Sequence, residues 1–550
     1  MELLSKIPTA RSATRNSRLW LFAALFFVLI RAVPNISYPI GRDQATYCVI
    51  GQGLLNGQQL YRDLWDNKPP GIFGVYALVV KAFGHVMWSV GLIDILWLLL
   101  ISYFVFRFAE RYLGTGAAVI AVVVSATWHA NIGYVNAGQP ECFLMALVFL
   151  SFFTASSNAP WPMTRQFAAG LLLGAAFWLK YNALAFFPLV AVVPCVDWAH
   201  IDSSPRRIRL LISGRIWCKR TGALLAGFLC AVVAVLAYFR WAGSWASLKE
   251  VQFQVLPRYA AIAVERIPHI WLLPVGATLV YLGGWTVLAT AASILMAEKR
   301  GLAGLLPVLA AAAMGFTVTA SQLRFPPYAF ETSFPFFAMV WGYFSVNLYT
   351  MLRSAARSPA SRTQMAARAA AVGLAAVLLW FPVRGEVRSA WQRYRDLGAW
   401  MQNPQGFYAH YAGVHFNIEH LPGKFAVIKE LQKSLKPDDG VFVWGTDPLI
   451  YFVTGKQPPT RFVSNLALIS PWGPPAWREE LIRDLSRSRP TFIVVSQNDQ
   501  VPDIAFTHLD SEQYLSVYTS LGNFISASYE CVGRFPDYVL YGLKTEPKSP

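Results

Sequence analysis

Apolar stretches of roughly membrane-crossing length recur through the first 383 residues. They lie at 19–33, 86–106, 115–128, 141–157, 167–179, 182–197, 221–239, 270–297, 301–320, 334–351 and 369–383. A helix needs about 20 apolar residues to cross a bilayer, so the shorter runs have soft ends. Within lipid every backbone polar group must be satisfied inside the protein, which leaves helices as the form such runs can take. The composition agrees: 14% of the 550 residues are charged, against about 25% in soluble domains. Aromatic residues make up 15%, with 20 Trp, which suits interfacial belts. These features predict a polytopic α-helical membrane protein of about eleven spans.

Charge sets the expected topology. Residues 167–197 carry Lys180, Tyr181 and Asn182 in their middle. As one helix they would extend about 46 Å, too long for the hydrocarbon core. The following segment holds Arg206, Arg207, Arg209, Arg215, Lys219 and Arg220, and the N-terminus holds Lys6, Arg11, Arg15 and Arg18. Basic loops belong on the cytoplasmic side. Only two spans meeting at Lys180 put both clusters there. The N-terminal basic run ahead of an apolar run resembles a signal peptide, but no small-residue cleavage site follows Val33, so it reads as an uncleaved anchor. The net charge of +17 then reflects cytoplasmic loops rather than nucleic-acid binding.

The outer loops fall at 34–85, 129–140, the Lys180 turn, 240–269 and 321–333. Within the first, 44–57 and 71–84 have apolar faces and read as interfacial helices. After Trp380 the chain becomes polar. Residues 385–550 read as a soluble α/β domain on the outer face, distinct from a membrane module of 1–384. Its expected helices are 424–436, 475–488 and 511–521. Its expected strands are 441–445, 491–496, 525–533 and 538–544, the last two forming a hairpin around Arg534-Phe535-Pro536-Asp537. Six scattered cysteines show no CxxC pairing and give no zinc or disulfide framework. There is no phosphate-binding glycine loop and no HExxH.

The first outer loop is unlike its surroundings. It reads GRDQATYCVIGQGLLNGQQLYRDLWDNKPPGIF and sets Asp43, Asp63, Asp66 and Lys68 ahead of Pro69-Pro70. Pro69 pushes Lys68 toward an extended backbone and so gives its ammonium a defined direction. Lys68 reads otherwise as a snorkelling interfacial lysine. Asp66 is placed to orient Lys68, cap the turn or bind a metal; Asp63 reads as structural. Lys180 at a turn below the outer surface is a functional candidate by its cost, or an exposed turn lysine. Glu141 opens a span, where a carboxylate is favoured by the helix dipole. Arg324 precedes a span on the outer side, and Asp94 within a span reads as a buried polar contact.

This loop resembles that of the GT-C membrane glycosyltransferases, closest to the bacterial branch with rhizobial galacturonosyltransferase-like, lipid A aminoarabinose transferase and protein O-mannosyltransferase-like members. The shared pattern comprises Asp43, Tyr47, Gly57, Tyr61, Asp63 and the run Trp65 to Gly71. The resemblance implies an inverting transfer of a sugar from a polyprenyl-phosphate donor to an extracytoplasmic acceptor: lipid A or lipopolysaccharide, another glycan, or a protein. It implies a bacterial inner-membrane location, with the N-terminus cytoplasmic and the C-terminal domain periplasmic. Asp43 is then the general base on the acceptor hydroxyl, a role a positioned carboxylate can fill. Lys68, Lys180 and Arg324 are the candidate donor-phosphate ligands, since the departing phosphate needs cations. Asp66, Glu141, Tyr47 and Tyr328 are candidate cavity or orienting residues. Tyr328 stands near where relatives carry a His, and Gln44 replaces the Glu of an Asp-Glu pair, both of which weaken a metal-site assignment. No cofactor is required by the pattern; a divalent cation held by first-loop carboxylates is compatible with it. A transporter or flippase of lipid-linked sugars is the alternative, with Asp94 and Lys180 as its pathway charges; no inverted repeat is evident. A noncatalytic scaffold is a third reading.

Overall fold

In a computed structural model of the chain, residues 15–156, 162–195, 213–266, 272–300, 305–322, 325–357, 384–411 and 421–544 are described. Helix α1 (Arg15–Ala32) leads through a short 3₁₀ turn to α2 (Arg42–Leu55) and α3 (Gly71–Phe83). Then follow α4 (Trp88–Leu113), α5 (Thr115–Asn131), α6 (Pro140–Ser156), α7 (Pro162–Leu179), α8 (Phe187–Val192) and α9 (Gly214–Trp241). Within the described residues the expected spans from 19–33 to 334–351 coincide with helix, 182–197 as short 3₁₀ and α pieces, while 369–383 lies outside those residues. Among the described residues, four helical stretches are long and apolar enough to cross a membrane: Asn16–Ser37, Trp88–Leu113, Gly214–Trp241 and Leu273–Ala297. At 26 residues, α4 spans about 39 Å, more than the hydrocarbon core.

Lys180 ends α7 in extended backbone (φ −154°, ψ 130°), and 3₁₀ structure follows at Tyr181–Phe186. The break expected from charge is therefore present. Helices α7 and α9 pack through glycines on both sides: Gly170 faces the Leu224 carbonyl and Gly227 the Phe167 carbonyl, approaches that a side chain would block. Leu19, Phe22 and Phe26 on α1, and Leu225, Leu229 and Val233 on α9, are exposed apolar side chains. Such faces are stable only against lipid or protein.

The helices expected at 44–57 and 71–84 are α2 and α3, packed against each other. Later in the chain come α10 (Trp245–Lys249) and α11 (Leu256–Arg266). They are followed by α12 (Leu273–Thr278), α13 (Gly284–Arg300), α14 (Leu306–Ala320) and α15 (Phe334–Arg357). Helix 384–402 lies beside the end of α1: Arg31 pairs with Glu386 at 2.8 Å, and the Tyr394 hydroxyl donates to the Ile30 carbonyl at 2.7 Å.

The C-terminal part carries β1 (Val441–Trp444), β2 (Phe492–Ser496), β3 (Tyr529–Phe535) and β4 (Tyr538–Leu543) in sheet order β1-β2-β4-β3. Strands β1 and β2 are parallel (Val441↔Phe492), and β4 runs antiparallel to both β2 and β3. The short runs VFVW and FIVVS are almost wholly buried, as parallel strands covered on both faces require, although β1 stands at the sheet's edge. One expectation fails. The strand placed at 525–533 begins only at Tyr529, because Thr519–Ser528 is helical. Leu521 and Ile525, four apart, are both buried, so helical periodicity wins over the β-branched content. The helix expected at 511–521 correspondingly shrinks to Ser511–Tyr514.

Candidate active site

The site is built on the loop joining α2 to α3. Asp43 sits in the first turn of α2. Gln44 accepts from the Gly41 N–H and donates to the carbonyls of Tyr134 at 2.9 Å and Ala137 at 2.6 Å. A glutamate could not make those two donations, so Gln44 fastens the second outer loop beneath Asp43. From that loop, Gln139 hydrogen-bonds Asp43 and accepts from the Tyr47 hydroxyl at 3.1 Å. About a quarter of the Asp43 side chain (26%) stays accessible, so it is not closed off in packed core.

Lys68 is held by its main chain. Its N–H donates to Asp66 Oδ1 at 2.8 Å, and its carbonyl accepts from the Tyr61 hydroxyl at 2.6 Å. Tyr61 is fully buried with φ +67°, an uncommon conformation for a bulky residue. Its ring stacks on Phe239 of α9 at 5.7 Å and its hydroxyl accepts from Gln252 at 3.0 Å. Next in sequence, Pro69-Pro70 turn the chain into α3, where a Cβ on Gly71 would meet the Trp178 carbonyl at 2.6 Å. The Lys68 ammonium lies 5.9 Å from the Tyr47 ring centre. Asp66 thus orients Lys68 through the backbone. Asp63 is structural, pairing with Arg62 and accepting the Gln59 N–H at 2.7 Å.

The charges are mutually dependent. Burial resists ionisation of Asp43, but the Lys68 and Arg42 cations overcome it and hold the carboxyl below its usual range. Burial likewise opposes charge on Lys68, yet Asp43 and Asp66 raise its affinity for a proton above the ordinary lysine value. For Asp66, burial outweighs Lys68 and pushes the carboxyl up. Burial and the Asp43 charge keep the Tyr328 phenol protonated far beyond the usual range.

Lys180 ion-pairs with Glu141 Oε1 and donates to Gln322 Oε1 at 2.7 Å. Glu141 is fully buried, so an anion that the helix dipole alone would have explained has a full cationic partner. Tyr328 is brought near Asp43, Glu141 and Tyr259. Arg324 lies outside the described residues.

Several residues of the site carried no local signal. Arg42 and Tyr259 add to the field at Asp43 and Lys68. The loop also docks on the C-terminal domain. The Trp65 N–H donates to the Arg461 carbonyl at 2.6 Å, and its ring packs against Trp477 at 4.9 Å and Trp472 at 6.2 Å. Glu250 completes this junction by accepting from Trp477 Nε1 at 2.8 Å and pairing with Arg461 at 3.3 Å.

Residues 67–241 match the model of the dolichyl-phosphate-mannose-protein mannosyltransferase family. No curated protein sequence matches the chain. Among solved structures, ArnT from Cupriavidus metallidurans bound to undecaprenyl phosphate superposes with a TM-score of 0.54 at 15% identity, covering 96% of this chain and 98% of that one. Its apo form gives 0.51 at 15% identity, over 95% and 97%. The Archaeoglobus fulgidus oligosaccharyltransferase tethered to an acceptor peptide gives 0.50 at 11% identity, covering 97% of this chain and 74% of that one. From the first outer loop to the C-terminal sheet, the chain therefore has the GT-C fold of membrane glycosyltransferases.

Proposed function

We propose that the protein is an inverting glycosyltransferase that moves a sugar from a polyprenyl-phosphate donor to a hydroxyl acceptor outside the cytoplasm. One observation carries this: Asp43, held ionised by Lys68 and Arg42, shares a site with the clamped Lys68, and the chain runs from Lys68 directly into the helix that opens an apolar groove. The groove has a volume of about 680 Å³ and begins at Gly71, three residues beyond Lys68. Val75, Leu78, Trp97, Phe143, Trp178 and Val235 line it. An isoprenoid chain fits such a wall, and it would place its phosphate beside the Lys68 ammonium. The fold neighbour bound to undecaprenyl phosphate supports the same class of donor here.

In the proposed reaction, Asp43 takes the proton from the acceptor hydroxyl as its oxygen attacks the anomeric carbon. The bond from that carbon to the phosphate oxygen breaks on the opposite face, and its electron pair leaves with the polyprenyl phosphate. Lys68 balances the charge growing on that phosphate, with Lys180 and Arg324 as further cations. Asp66 and Tyr61 keep Lys68 in place. Tyr47, Glu141 and Tyr328 shape and polarise the cavity. The acceptor is a glycolipid, glycan or protein of the cell envelope.

Purified protein in nanodiscs with an undecaprenyl-phosphate sugar and envelope acceptors tests this by mass spectrometry of the products. Asp43→Asn should lower transfer by about 10²- to 10⁴-fold. Retained transfer in that variant would remove Asp43 as the base. Substrate flipping in proteoliposomes without any glycosylated product would replace the enzyme by a transporter.

A further inference from the structure

Asp94, His129, Cys142 and Glu331 form a second polar cluster, on four elements that the chain brings together from far apart. Asp94 lies on α4, His129 near the end of α5, Cys142 in the first turn of α6, and Glu331 in the 3₁₀ segment Pro327–Ser333. None is more than 2% exposed. His129 Nε2 is 2.9 Å from Asp94 Oδ2, and His129 Nδ1 is 2.6 Å from Glu331 Oε1. Cys142 Sγ is 3.4 Å from Asp94 Oδ1, which also accepts the Gly138 N–H at 3.0 Å. The potential ligand atoms of Asp94, His129 and Cys142 all lie within 4.8 Å of one another. The other Glu331 oxygen, Oε2, is buried without a hydrogen-bond partner.

We infer that Asp94, His129 and Cys142 form a three-ligand site for a divalent transition metal of the zinc type, with the fourth coordination position open. The donor set is one imidazole nitrogen, one carboxylate oxygen and one thiolate, the mixture a borderline ion such as Zn²⁺ accepts. Ligands about 2.0–2.3 Å from a tetrahedral ion are separated by roughly 3.3–3.8 Å. The Cys142 and His129 spacings run to different oxygens of Asp94, Oδ1 at 3.4 Å and Oδ2 at 2.9 Å, so the Asp94 carboxylate must turn to offer one oxygen to an ion that all three ligand atoms, within 4.8 Å of one another, can reach. Glu331 supplies what metal-bound histidines characteristically have, a carboxylate on the second ring nitrogen that fixes tautomer and ring plane.

Ligation needs an unprotonated His129 Nε2 and a Cys142 thiolate, so binding releases whatever protons these atoms carry and affinity should rise with pH. The site holds Gly138, whose neighbour Gln139 bonds Asp43 and Tyr47, so the ion would stiffen the floor under the base without touching substrate. This inference stands independently of the proposed reaction.

The full chain, purified in detergent without chelators, equilibrated with Zn²⁺ and desalted, should retain about one equivalent by mass-spectrometric metal analysis. His129→Ala and Asp94→Asn should lose it, and Glu331→Gln should weaken it by about 10- to 100-fold. In protein loaded with Co²⁺, a thiolate-to-cobalt charge-transfer band should appear and vanish in the conservative Cys142→Ser. Wild-type protein retaining no zinc and showing no thiolate band overturns the inference, leaving a proton-bridged histidine. Equal retention of metal by wild type and Asp94→Asn overturns it too.

Discussion

Removing one oxygen, in Tyr61→Phe, isolates the clamp on Lys68. The substitution keeps the ring on Phe239 and the unusual backbone, and takes away only the hydroxyl. Two bonds go with it: the donation to the Lys68 carbonyl at 2.6 Å and the acceptance from Gln252 at 3.0 Å. A buried polar group left without its partner costs about 1–3 kcal/mol, so the two together cost about 2–6 kcal/mol. If about 1–2 kcal/mol of this falls on the placement of the ammonium, transfer slows by about 5- to 30-fold in kcat/KM. The assay is sugar transfer from a polyprenyl-phosphate donor in nanodiscs, compared with Lys68→Ala and with the double variant. Because the tyrosine acts through the lysine, its effect should largely disappear in the Lys68→Ala background. An unchanged kcat/KM, or the same loss with and without Lys68, would refute the clamp.

The Lys180–Glu141 pair and the titration of the site make two further tests. Glu141→Gln leaves the Lys180 cation without its anion and should cost about 3–5 kcal/mol, read as a lower thermal transition in detergent; Glu141→Gln with Lys180→Met should recover part of it. A single variant as stable as wild type would show that the pair is not formed. Asp43 is depressed, so its charge is present above its unfolded value near about 4 and is lost as pH falls through the folded value. Lys68 is raised, so its charge persists until pH climbs through that higher value. Neither group titrates between about pH 6 and 9, and the rate should be flat there as far as these two govern it; an acid limb in that interval that moves in Asp43→Glu would contradict the assignment.

The spans were legible because hydropathy and the break at Lys180 are local properties of the chain. So was the first outer loop, whose motif marks Asp43, Tyr61 and Lys68. The partners of these residues were not legible. Gln139 reaches Asp43 across more than ninety positions, and Trp477 meets Trp65 across more than four hundred. Such contacts leave no spacing to read. Asp94 read as a buried polar contact, with nothing nearby in sequence to say that His129 and Glu331 stand on either side of one imidazole. Gln44 looked like a lost acid, whereas its amide is required by the two carbonyls it binds. The α/β domain was misread only where a short amphipathic helix with β-branched residues precedes a strand.

The junction of Trp65 with Arg461 and Trp477 has a consequence in the order of synthesis. Asp43 and Lys68 are translated early, while the surface that supports their loop belongs to the last hundred residues. The loop therefore leaves the ribosome well before its support does. A nascent chain carries Asp43 and Lys68 without the surface that holds their loop, and the site is complete only when the segment from Arg461 to Trp477 has folded against it.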